Sequence, residues 1–134
     1  MALGEYSPAE ANLRKALAFF QVNETPSLSD QANINDTRAL FAIALSRQGK
    51  LDEANKALAP ALAYYRLPVV QKSDDETIKA FYARALLALA LANPAEKDKY
   101  LTEAAQRFDS MPESLRRLKN FAMIREQIAR EMKK

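Results

Sequence analysis

An all-α fold follows from three features of the sequence. Alanine and leucine, both strong helix formers, dominate a chain of 134 residues that has only two glycines. Few segments alternate with the period of two that a half-buried strand needs. Helix starts are marked repeatedly by a polar cap followed by proline or an acidic residue. The length fits one domain with a usable core, and 49% apolar residues excludes a disordered tail.

The elements follow in order. Ser7-Pro8-Ala9-Glu10 opens a helix over 8–21 with Leu13, Ala16, Leu17 and Phe20 on one face. A polar stretch, Gln21–Asn35, reads as an ordered excursion. A second helix runs over 36–48, from Asp36 to the stop at Gly49, and a third over 51–66 carries Leu51, Ala54, Leu58, Ala61, Leu62 and Tyr65 on one stripe. Pro60 falls inside the third helix and predicts a kink or a restart there. After a second polar connection, Leu67–Ser73, the run Ser73-Asp74-Asp75-Glu76 reads as a capping box for a helix over 74–92. Within it the stretch Ala80–Ala92 is apolar on nearly all sides apart from Arg84, which predicts burial in the middle of a helical stack. Asn93-Pro94-Ala95-Glu96 opens a helix over 95–109, with Leu101, Ala104, Ala105 and Phe108 together. Ser110-Met111-Pro112-Glu113 opens a last helix over 113–132, with a stripe of Leu115, Leu118, Phe121, Ile124 and Ile128.

The pattern repeats. Gly4-Glu5-Tyr6 and Gly49-Lys50-Leu51 each lead to an alanine five residues after the glycine (Ala9, Ala54). A leucine follows four further on (Leu13, Leu58), then another alanine (Ala16, Ala61). A third copy keeps Leu101, Ala104 and Phe108. In the segment "FAIALSRQGKLDEANKALAPAL", Phe41, Ala42 and Leu45 precede the Gly49 turn, and Ala54, Leu58 and Ala61 follow it. With Arg38 at the usual tryptophan position, this resembles the tetratricopeptide repeat (TPR) family. Tyr82, Ala85, Leu86 and Leu89, then Ala104 and Phe108, give the next copy. The spacing exceeds the family's ~34 residues and is closer to the longer-loop variants such as kinesin light chain.

The resemblance implies a right-handed α-hairpin repeat superhelix of about six helices: a half repeat at 4–21, repeats at 35–66 and 74–111, and a capping helix at 113–132. It also implies that the first helix of a pair is missing before "GEYSPAEANLRKAL". On this reading the chain is the C-terminal piece of a longer signalling or regulatory protein, and the face of Leu13, Leu17 and Phe20 can self-associate at the truncated end. In the family the concave face binds peptides. Carried over by position, that face holds Leu40, Ile43, Arg47, Arg84, Leu87 and Leu91, although Leu40, Ile43 and Leu87 are equally suited to a core. The lysines and asparagines that clamp a terminal carboxylate in the chaperone-binding members are replaced by Ala39, Leu40 and Ile43, which argues against that ligand.

Charge and composition exclude much chemistry. There is no cysteine and no histidine, which removes thiol nucleophiles, disulfides, imidazole bases and the usual zinc ligands. Two glycines 45 residues apart cannot form a phosphate loop. Asp74, Asp75 and Glu76 are adjacent and fan around a helix start, so they do not converge as a metal or acid–base cluster. No cofactor site or catalytic constellation is visible. The longest apolar stretch, Ala80–Ala92, is shorter than the ~20 residues of a membrane span. Neither a signal peptide nor a cysteine is present, which suits a cytoplasmic location. The net charge of +3 is uneven, since residues 113–134 carry +4 and the remainder −1. Arg116, Arg117, Lys119, Arg125 and Arg130 therefore form an alternative basic surface for nucleic acid, anionic lipid or an acidic partner. The competing reading is a solvated terminal helix with cations near its dipole-negative end. Glutamates interrupt the run, and its one aromatic residue, Phe121, sits on the apolar stripe, which disfavours nucleic acid. The sequence thus points to a non-catalytic protein–protein interaction module, with nucleic-acid binding and a purely structural or dimerising array as the alternatives.

Overall fold

The computed structural model describes the backbone of residues 28–73 and 75–134, and side chains from Gln31 onward apart from that of Asp74. The 8–21 helix, its Ser7–Glu10 start and the proposed self-association face therefore lie outside the described residues. Those residues form an all-α, multi-helix bundle with no sheet among them. Its helices are α1 (Leu28–Arg47), α2 (Leu51–Tyr65), the single turn α3 (Pro68–Gln71), α4 (Glu76–Ala92), α5 (Lys97–Asp109), the single turn α6 (Glu113–Arg116) and α7 (Lys119–Met132).

α1 begins well before Asp36. The polar residues of the supposed excursion are absorbed by bonds along the helix: Thr37 Oγ1 donates to the Asn33 carbonyl at 2.9 Å, and Arg38 Nη1 to Asn35 Oδ1 at 2.8 Å. No glycine or proline interrupts the chain between Leu28 and Arg47, and Ala32, Asn35, Asp36 and Ala39 are buried. The stop lies at Gly49, whose φ of 80° places it in the left-handed region. The chain reverses there, with the Lys50 N–H donating to the Leu45 carbonyl at 2.9 Å. α2 then packs antiparallel on α1.

Pro60 neither breaks nor restarts α2, which runs through it. It stands on the exposed side of the helix, beside Lys56, Ala59 and Ala63, so the carbonyl it leaves unbonded can turn to water. The connection at 67–73 contains the turn α3, started by Pro68 at its first position. α4 is capped by Asp75 and not by Ser73: Asp75 Oδ1 accepts from the Thr77 N–H at 2.9 Å, while Ser73 Oγ accepts from the Asp75 N–H. Asn93 and Ser110 likewise do not cap the helices that follow. The Asn93 amide donates back to Leu89 O at 2.9 Å and across to Asn55 Oδ1 at 2.8 Å, while Asn55 donates to Ala92 O, which fixes α2 against the end of α4. Ser110 Oγ donates to Arg107 O.

The predicted last helix is two elements. An unbroken helix steps about 100° per residue, which would set Leu115 about 180° away from Ile124. The extended backbone at Leu118 separates α6 from α7, letting Leu115 become half-buried while Ile124 and Ile128 enter the core.

α4 is the centre of the bundle. It packs against α1, α2, α5 and α7, and α1–α2 and α4–α5 form successive hairpins. Ala54, Leu58 and Ala61 of α2, Leu86 of α4, and Ala104 and Phe108 of α5 are essentially sealed from solvent. The small alanines allow close helix approach and the larger side chains fill the grooves beside them. Tyr65 of α2 stacks on Tyr82 of α4 with ring centroids 5.5 Å apart, and the Arg107 guanidinium of α5 lies 5.4 Å from the Tyr82 centroid.

Candidate functional site

Three helices that each pack on the bundle centre or belong to it leave an open groove between them. α1 contributes Asp36 and Leu40, α4 contributes Phe81 and Arg84, and α7 contributes Asn120, Met123 and Gln127. The spacing explains the convergence. Asp36 and Leu40 stand four apart, Phe81 and Arg84 three apart, and the α7 residues at i, i+3 and i+7, so each set lies on one helix face. Leu40 is 37% exposed and Met123 is 51% exposed, unusual for large apolar side chains placed beside one another.

Beneath this apolar rim, Arg84 Nη1 donates to Asp36 Oδ2 at 2.7 Å. The contact is end-on, through one nitrogen and one oxygen. Asp36 Oδ1 and Arg84 Nε are buried and make no hydrogen bond, as is the Tyr65 hydroxyl. Burial pushes the Asp36 carboxyl up to about 6, with the Arg84 charge and hydrogen bond acting in the opposite direction. Burial, then the negative Asp36, holds the Tyr65 proton more tightly than in a free phenol.

The six residues placed on the concave face by resemblance are divided by the structure. Leu40 and Arg84 both line the groove. Ile43 and Leu91 are half-buried against the core, and Leu87, only 2% exposed, belongs to the core itself. Arg47 lies at the far end of α1, where it joins a separate ionic cluster. Glu131 of α7, 4% exposed, accepts from Arg47 of α1, from Lys97 of α5 at 3.2 Å and from Lys134 at 3.0 Å. Burial raises its pKa, but the hydrogen bonds from Arg47 and Lys134, the Arg47 charge and the Lys97 bond outweigh that and hold the carboxyl at about 2.

The basic residues of the C-terminal segment are dispersed. Arg116 Nε donates to Met111 O at 2.9 Å, Arg117 pairs with Glu113, Arg125 with Asp109 at 3.1 Å, and Arg130 with Glu126 at 3.9 Å, while Lys119 is exposed. Among the described residues no group of histidine, cysteine, aspartate or glutamate is arranged to hold a metal ion, and no helix is long and apolar enough to cross a membrane.

Asp36, Phe81, Asn120, Met123 and Gln127 were not evident as site residues in the sequence. A usable signal was Arg84, a lone cation in an apolar run, which must find a buried partner. Met123 gave none, because it falls outside the apolar stripe of the single helix expected over 113–132. Comparison of the chain with protein-family models, with curated proteins and with solved structures found no match.

Proposed function

We propose that this chain is a non-catalytic, TPR-like interaction module that takes a partner segment into the groove between α1, α4 and α7. The observation that carries the reading is the juxtaposition of exposed Leu40 and Met123 with Phe81, over an ion pair that still has an unused donor and acceptor. A groove with an apolar rim and a few convergent polar groups suits an anchored peptide or helix. The packing order also supports the repeat reading. First helices of successive hairpins (α1, α4) lie side by side, the second helix α2 packs on the next first helix, and α7 takes the following position against both α4 and α5, as stacked α-hairpins do.

Binding of nucleic acid through the C-terminal cations is the weaker reading. Arg116, Arg117, Arg125 and Arg130 are each engaged within the chain and fan around two elements. The groove reading is tested by selecting peptides from a random displayed library on the immobilised protein, with counter-selection on a Leu40→Asp, Met123→Asp double variant. Enrichment of a shared motif that the variant does not retain supports it. Enrichment of the same sequences on both proteins overturns it.

A further inference from the structure

Resting on the groove reading, we infer that the segment bound there presents an uncharged carboxamide, as asparagine or glutamine does, next to an apolar side chain. The pair on the floor sets the requirement. Asp36 is 9% exposed and Arg84 is half-buried, and they meet through Nη1 and Oδ2 alone. Within the pair that leaves one acceptor, Asp36 Oδ1, and one donor, Arg84 Nε, both buried and unused, and the Tyr65 hydroxyl is a further buried group without a bond. A buried polar atom without a partner is costly, so a group that serves both atoms gains more than one that serves neither.

Charge then selects among the candidates. The pair is neutral as a unit. A carboxylate could accept from Arg84 Nε but would face Asp36, and an ammonium could donate to Asp36 Oδ1 but would face Arg84. Either would set an uncompensated charge against one member of a largely buried pair. A carboxamide donates an N–H to Asp36 Oδ1 and accepts from Arg84 Nε with its carbonyl, and brings no charge. The rim supplies the rest: Leu40, Phe81 and Met123 cover an apolar body adjoining the amide. Met123, unbranched and half-exposed, can swing aside to admit it.

Three probes of nearly the same shape separate these cases: 4-methylpentanamide, 4-methylpentanoate and isoamylammonium, titrated into the full chain at neutral pH. The readouts are the Met123 methyl resonance, which reports occupancy of the rim, and the Arg84 Nε–H resonance, which reports the floor. The expected result is saturable movement of both signals by the amide, with the charged probes binding about tenfold more weakly. An Arg84→Met, Asp36→Leu double variant, chosen to keep the fold, then loses the preference for the amide. Movement of Met123 without movement of Arg84 Nε–H, or tighter binding of a charged probe, overturns the amide inference and leaves the groove reading standing. No movement of Met123 with any probe overturns both.

Discussion

Arg47, in the last turn of α1, donates to Glu131, in the last turn of α7, across 84 positions of sequence. Lys97 at the start of α5 and Lys134 bond the same carboxylate, so one buried acid ties three helices together. The cluster joins buried Ile124 and Ile128 in holding α7, and α7 supplies one wall of the groove. An acid held near 2 when folded, against about 4.3 when unfolded, contributes stability that is fully present above about pH 5. That contribution fades as pH falls toward 2. Glu131→Gln should lower stability by about 2–3 kcal/mol at pH 7 and flatten the acid limb of the unfolding profile. Urea melts of both proteins from pH 7 to 2.5 check this.

Asp36 carries the opposite sign. Its folded pKa, about 6, lies above the unfolded value, so the folded state holds the proton more tightly. Its stabilising effect is complete below about pH 4 and is lost as pH rises through 6. Arg84→Met strands the carboxylate in a mostly dry site and should cost about 2–4 kcal/mol at pH 7, with the Asp36 titration moving further up. Adding Asp36→Leu should recover most of the loss, since two apolar groups replace a pair that is only half bonded. A double-mutant cycle by chemical denaturation, with the Asp36 carboxyl followed by NMR, measures both effects.

Two backbone substitutions should act in opposite directions. Pro60→Ala restores an N–H in the interior of α2 on its exposed face and should stabilise the fold by about 2 kcal/mol. Gly49→Ala meets no atom within 4 Å but keeps a left-handed φ of 80°, and should cost about 1 kcal/mol. Thermal unfolding of the two variants beside wild type gives the comparison.

Most of the architecture was legible because alanine-rich stripes and turn residues are local signals. Gly49, the Ala54–Leu58–Ala61 stripe and the apolar run from Ala80 to Ala92 in α4 each specify their structure within a few residues of sequence. The limits of α1 and the break before α7 were not legible for the converse reason. Asn33, Asn35 and Asp36 look like loop formers until their bonds to Thr37, Arg38 and Arg84 are seen. Leu115 and Leu118 fit a long stripe only if its drift around the helix is ignored. The groove was half legible. Leu40 shares a helix face with Asp36, and Arg84 with Phe81, but Asn120, Met123 and Gln127 reach them only through tertiary packing.

On the proposed function, the groove between α1, α4 and α7 receives the partner segment. The most direct test uses the methionines, because Met123 lines the groove while Met132, also exposed, does not, and Met111 is buried. The protein, labelled at its methionine methyl groups, would be titrated with the peptide recovered from the library. The expected result is a saturable shift of Met123, with Met132 and Met111 unmoved. Binding that shifts Met132 and leaves Met123 in place would contradict it.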